Sequence, residues 1–545
     1  MARPLRAISF SLLLVASLAA CGDPAPETTS AKQPAPGDGA KPDAAPEPEP
    51  PFAHVDGERG LRVNDAGALD GYTLIAPLCS KSIHLVGMDG QVAHTWKTNH
   101  VPAGATYFLP DGHLLRTAMV ENNPRFHGGG IGGRIEELDW DGKLLWEYEL
   151  ATDQRTLHHD IARLPNGNVL AIGWEYHSPE EIFAHGRAAN RVHEEGLWCD
   201  FVIEIEPTRP SGGKIVWTWR SFDHLVQDER EKAEGFGKIA DFPGRIDVNA
   251  DHRYDAPESE AERKAREERE KAMQGLGYGG GKDAAQGGAL AHDAPGTNDK
   301  KKKEKYDADW LHMNAVDYLP EQDLIVVSVP HLCELWVIDH STTAQEAAGS
   351  SGGKRGHGGE LLYRYGHARN YGVDDGVGRK LRYQHNPTWQ KNSAPGTLGL
   401  LVFDNGTERK PTEYSEVVEL EIPFDAALGF SRKTGEAFGP SGAKWTYNDP
   451  GKLFSPFISG AQRLANGNTL ICEGARGRVL EVTSAGKIVW DYYNPLGGEI
   501  KPAEQAGKAP AKSLFRATRI AKDHPGLAGK TLVAGGKDKT KSLGY

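Results

Sequence analysis

Along most of the chain, short runs of alternating apolar and polar residues are separated by Asp-Gly, Asn-Gly and Gly-Gly dipeptides. A period of two marks half-buried strands, and these dipeptides are the ones tight antiparallel turns demand. The runs come in pairs: an apolar strand after a turn, then a second run ending in Gly-Lys-x-x-Trp or an equivalent aromatic. Six such units follow one another, at 72–96, 113–148, 168–219, 323–365, 399–447 and 468–492. One small meander cannot bury both faces, whereas six arranged radially can, and ring closure also hides the sheet edges. The pattern predicts an all-β protein, a six-bladed β-propeller over residues 60–545, with FRATRIA…KTLVAGG (515–536) as the source of the closing strand. Trp96, Trp146, Trp217, Trp445 and Trp490 end the second run of their units and are expected to pack blade against blade.

Three stretches fall outside this pattern. In residues 1–20, Arg3 and Arg6 precede the apolar run ISFSLLLVASLAA, which is too short to span a bilayer and ends in small residues before Cys21. This resembles a bacterial lipoprotein signal. It implies cleavage before Cys21, a lipid on that thiol, and an extracytoplasmic protein anchored to the membrane of the cell envelope, in the periplasm or at the outer membrane. Residues 21–59 are mostly rich in Pro and Ala and nearly free of large apolar groups, which predicts an extended linker. Residues 223–307 interrupt the third and fourth units with ESEAERKAREEREKA, a Gly-rich run and KKKEK, so a charged helix with a flexible loop is expected at a blade edge.

Composition narrows the function classes. The 65 Gly and 34 Pro of the 545 residues suit a turn-rich β protein, and 38% hydrophobic with 25% charged residues excludes a wholly disordered or multi-span membrane chain. A net charge of −12 argues against a broad nucleic-acid footprint. Beyond Cys21 the cysteines are Cys79, Cys199, Cys333 and Cys472, whose wide spacing matches no CxxC metal or redox motif. Their pairing is left open, with structural packing the expected role. Oligomeric state is not readable.

Aligning the units on their Leu-Pro or Leu-Ala turns places His159, Asn314 and Ser459 in register, each five residues before the turn leucine. QHNPTWQ (384–390) adds His385 at the same level, and His312 is expected two residues before Asn314 on the same strand face. Innermost propeller strands line the central channel, so these five polar side chains would surround the axis. Two chemistries fit: a three-histidine metal centre backed by Asp160, Asp317 or Asp404, or a nucleophilic imidazole with the others as donors to an anion. Spacing alone does not choose. HGGGIGGR (127–134) lacks the strand–turn–helix context of a phosphate loop and reads as a flexible turn.

The segments HHDIARLPNGNVL, DWLHMNAVDYLP, ELWVIDHSTT, YQHNPTW, LLVFDNG, SGAQRLANGNTLICEGARGRVLEV and FRATRIAKDHPGLAGK, in this order over residues 60–535, resemble the arylsulfotransferase family of extracytoplasmic bacterial propellers. The resemblance implies transfer of a sulfuryl group from a phenolic sulfate ester to a phenol acceptor, through a sulfated histidine and without an adenylated sulfate donor. It further implies that His385 is the nucleophile, with His312, Asn314 and His159 around it (His158 being the other choice for the last), and that no cofactor or metal is needed. The family's arginine after the fourth-unit strand corresponds here to Pro330, followed by His331. Arg463, Arg382, Arg516 or His331 are the candidates to replace it. Other classes stay open: a hydrolase using the same His385, a quinoprotein-like propeller, which the Gly-Lys-x-x-Trp units also resemble, or a non-catalytic surface-anchored scaffold.

Overall fold

The computed structural model describes residues 50–250, 308–391, 393–501 and 509–532. Residues 1–49, with the leader and Cys21, and residues 251–307, with the charged part of the expected insertion, lie outside these.

Six antiparallel sheets form the blades of a β-propeller. Their innermost strands are, for blades 1 to 6, Leu514–Ala521, Pro102–Phe108, Arg155–Arg163, Ala315–Leu319, His385–Gln390 and Gly460–Arg463. Each innermost strand packs against those of the two neighbouring blades, so the strands line a closed ring. Closure is made twice. The C-terminal strand Leu514–Ala521 pairs with Gly71–Pro77 to complete blade 1, and Gly60–Asn64 adds a fifth, outer strand to blade 6 against Ile488–Tyr493.

The terminal aromatics tie the blades together by a repeated device. The indole Nε1 of Trp146 donates to Gly212 O (2.8 Å), Trp217 to Thr342 Oγ1 (3.1 Å), Trp445 to Ser484 O (2.9 Å) and Trp490 to Met88 O (3.1 Å), in each case in the next blade. Blade 4 uses Tyr363, whose hydroxyl donates to Gly439 O at 2.6 Å. In blade 1 Trp96 packs edge-on to Trp140 while His94 stacks on that same ring.

A second set of ties surrounds the channel. Asp160 accepts from Val316 N (3.0 Å), Asp317 from Trp389 N (2.8 Å), Asn386 from Ala461 N (3.1 Å) and Gln462 from Arg519 N (2.7 Å). Each acceptor reaches the innermost strand of the following blade. These side chains satisfy backbone donors that an inner strand, lacking a partner on its channel side, would otherwise leave bare.

The expected insertion 223–307 is described as far as residue 250, and this first part is packed: Leu225–Val226 pairs with Ile246–Asp247 outside the blade sheets, and Leu225, Ile246 and Val248 are buried in a core shared with blades 3 and 4. One expectation needs correction. His312 does not share a strand face with Asn314. It precedes the strand Ala315–Leu319 and has a left-handed φ of 54°, so simple alternation does not reach it. The four cysteines outside the leader are all free and buried.

Candidate active site

Three imidazoles come together where blades 3, 4 and 5 meet the channel. His159 is on the inner strand of blade 3, His312 on the lead-in to blade 4, and His385 opens the inner strand of blade 5; each is at most 2% exposed. The backbone here departs from regular strand. His159 (φ 48°), His312 (φ 54°), Tyr383 (φ 56°) and Asn386 (φ 52°) are left-handed, and the pairing of both inner strands with their neighbours slips beside the histidines. Non-glycine residues adopt this conformation only when their surroundings impose it, and such strain gathers at functional sites.

Each imidazole is held at Nδ1 by a different kind of partner. His312 Nδ1 donates to the Asp309 carboxylate. Burial, the largest single influence, would lower the His312 pKa, but the Asp309 charge, its hydrogen bond and the Asp200 charge together outweigh it and hold the group above its ordinary value. His159 Nδ1 shares a hydrogen with His158 Nδ1 at 2.9 Å, and burial, reinforced by the charge on His312, pushes its pKa well down. His385 Nδ1 lies 2.7 Å from Asn405 Oδ1 and 3.0 Å from Tyr383 O, and burial lowers its pKa to about 3. The surroundings thus favour the proton on His312 and disfavour it on His159 and His385.

The His159 and His312 rings meet edge to face with centroids 4.6 Å apart. The His385 pKa responds to the charge on His312, and that of His159 to the charge on His385. The Nε2 atoms of His159 and His385 are buried without a hydrogen-bond partner. Buried polar atoms in native folds nearly always have a partner, so the Nε2 of His385 has capacity left for one, while that of His159 faces Gly130.

Several candidates are placed differently from expectation. Asn314 donates its amide hydrogen to Gln384 O at 3.0 Å, the residue before His385, while its own Oδ1 is buried and unpartnered. Ser459 accepts from Gly474 N at 2.9 Å and belongs to the blade 6 turn. Asp160, Asp317 and Asp404 do not back the histidines. The first two are blade ties, and Asp404 binds Arg382 N (2.7 Å) and Arg409 (2.6 Å). Among the described residues, the ligand atoms close enough to share one ion are those of Asp111, His113 and Glu137 on blade 2. There Glu137 is already bound by Arg209 at 2.6 Å.

His331, next to Pro330, stacks on His312 with centroids 4.8 Å apart, and its Nδ1 lies 3.1 Å from Asp309 O. Arg516 lies partly exposed on the closing strand, bonded to Tyr107 Oη (2.5 Å) and Asp160 (2.8 Å), and its charge helps to depress both His159 and His385. Arg463 lies elsewhere, paired with Glu419 at 2.5 Å and over the Trp445 ring.

Other contributors carried little sequence signal. Asp309, Asp200 and Asn405 reach the histidines from segments remote in sequence or outside the inner strands. HGGGIGGR is part of the site wall rather than a loose turn. Gly130 O accepts from His159 N (2.8 Å), and the His159 ring fills the space a Gly130 side chain would need. Behind it, His158 stacks on Trp174 at 4.1 Å and lies 3.0 Å from the Asp200 carboxyl, whose pKa burial and the Asp309 charge push well up.

A family model described as Arylsulfotransferase (ASST) matches residues 87–501. No curated protein matches the chain significantly. Among solved structures, a protein of unknown function from Bacteroides caccae aligns over 83% of this chain and 100% of its own, at 10% identity and a TM-score of 0.39. The periplasmic gluconolactonase of Pseudomonas aeruginosa aligns over 78% of this chain and 96% of its own, at 11% identity and a TM-score of 0.35.

Proposed function

This chain belongs to the arylsulfotransferase family, and from that premise we propose that it moves a sulfuryl group from a phenolic sulfate ester to a phenol in two steps through His385. The observation that carries the reading is the state of the His385 imidazole. It is neutral, enclosed, and presents an Nε2 with no protein partner, beside His312, whose protonated form a carboxylate favours.

In the first step the Nε2 lone pair of His385 forms the N–S bond as the S–O bond to the phenol breaks. The electron pair leaves on the phenolate oxygen, and His312, protonated at rest, supplies that oxygen's proton. In the second step the acceptor phenol gives its proton to the now neutral His312, its oxygen forms the new S–O bond, and His385 departs with the N–S electron pair. One residue serves as acid and then as base, and the enzyme ends as it began.

The sulfuryl oxygens carry charge throughout. Arg516, whose field reaches His159 and His385, fits the part of cation for those oxygens, with His331 beside His312 standing where the family's arginine is absent. The leader sequence supports a further proposal, an envelope protein lipidated at Cys21.

The test is acceptor dependence. The protein is incubated with an aryl sulfate ester with and without a phenol, alongside His385→Ala. Phenolate release that needs the acceptor, and is lost in the variant, is the expected result. Release that proceeds equally without acceptor would make the enzyme a hydrolase. No release from a range of esters would favour a binding propeller.

A further inference from the structure

Asn405 follows directly on the blade 5 strand Thr397–Asp404 and is fully buried. Its amide Nδ2 donates to Ser455 O at 2.7 Å and Ile458 O at 2.9 Å, on the segment leading into blade 6. Both partners are carbonyls, which only accept, so the amide has one orientation and its Oδ1 must be the atom facing His385. His385 Nδ1 therefore lies between two acceptors, Asn405 Oδ1 at 2.7 Å and Tyr383 O at 3.0 Å. Neither can donate to it. Nδ1 must carry hydrogen, and in a neutral imidazole that leaves the lone pair on Nε2.

We infer that Asn405 is a positioning residue that selects the Nδ1–H tautomer of His385 and so makes Nε2 the nitrogen that takes up the sulfuryl group. The inference rests on the reading of His385 as nucleophile and adds how the fold prepares it. When the N–S bond forms, the Nδ1–H remains and the ring becomes an N-sulfo imidazolium, whose hydrogen bond to the Asn405 carbonyl strengthens as the ring gains charge. A neutral amide suits this task. A carboxylate in its place would favour the protonated imidazolium at rest and so remove the lone pair, which is the arrangement Asp309 gives His312.

The first measurement needs no substrate. In protein labelled with 15N-histidine, the His385 nitrogens are expected at the shifts of an Nδ1–H, Nε2-bare ring; an Nε2–H ring in the folded wild type would overturn the inference. The second compares Asn405→Ala and Asn405→Asp with wild type by melting temperature, single-turnover phenolate release and its pH profile. For Asn405→Ala, kcat is expected to fall by about 10²- to 10⁴-fold with KM little changed, the scale seen when the group fixing a catalytic imidazole's tautomer is lost. For Asn405→Asp, the acid limb of the profile is expected to move to higher pH, because a carboxylate stabilises the imidazolium. A folded Asn405→Ala with wild-type kcat, or an acid limb unmoved in a folded Asn405→Asp, would overturn it. If the wild type itself releases no phenolate, the proposed reaction fails, while the tautomer is still decided by the nitrogen shifts.

Discussion

The imidazoles of His159 and His312 touch edge to face at 4.6 Å, yet their pKa values are driven in opposite directions. Burial acts on both. What separates them is the partner at Nδ1: His158 for the first, the Asp309 carboxylate for the second. The contrast places one proton donor in a cluster of otherwise neutral rings.

That contrast sets a pH profile. His385, depressed to about 3, keeps its lone pair down to strongly acidic pH, so the acid limb of kcat/KM is expected far below the ordinary histidine value. His312 is raised, so its proton is present below its shifted pKa and lost as pH rises through it, giving an alkaline limb above the ordinary value. Asp309→Asn removes the charge that raises it and moves that limb to lower pH. The loss should be larger for esters of weakly acidic phenols, which need the proton most, and a rate series over phenols of graded acidity checks this.

Gly130→Ala puts a methyl group into the volume of the His159 ring, at a position whose φ of 73° already disfavours a side chain. Expected is a folded protein, destabilised by about 1–3 kcal/mol, that loses at least tenfold in kcat because His159 is displaced. Thermal melting and steady-state kinetics measure the two effects separately.

Arg516→Gln removes a cation whose charge lowers the His385 pKa. Two changes are expected together: a higher-pH acid limb and a fall in kcat of about 10²- to 10³-fold, the loss typical of a donor to developing oxyanion charge. A fall in kcat without the movement of the limb would assign Arg516 to the Tyr107 and Asp160 contacts alone.

At the ring's periphery, Trp490→Phe keeps the packing but removes the bond to Met88 O, and should cost about 1 kcal/mol. Trp490→Ala should cost about 3–5 kcal/mol, because the side chain is fully buried between blades 6 and 1. Denaturant midpoints give both values. Activity per folded molecule should not change, since Trp490 is on an outer strand.

The blade pattern was legible because it rests on strand periodicity and turn residues, and the recurrent tryptophans mark the joints those residues make. The inner-strand level of His159 and His385 was legible from the same alignment. His312 was found by spacing but misplaced in conformation, because a left-handed residue ahead of a strand breaks the alternation from which its face was read. Asp309 and Asn405 were not legible as histidine partners. Nothing in a one-dimensional pattern says that an acid three residues before His312, or an amide one residue past a strand end, turns towards a ring nitrogen. Asp160, Asp317 and Asp404 were available as carboxylates to back a metal centre, yet they satisfy backbone donors instead. Gly130 could be recognised only once the ring that occupies its side-chain space was in view.

The central claim is that His385 carries the sulfuryl group between donor and acceptor. The most direct measurement mixes the protein with an aryl sulfate ester in the absence of acceptor and records the intact mass under neutral conditions, for wild type and for His385→Ala. The account predicts a wild-type species heavier by one SO3 group, mapping to His385 and discharged when a phenol is added, with no such species in the variant. An adduct on another residue, or one that forms equally in His385→Ala, would contradict it.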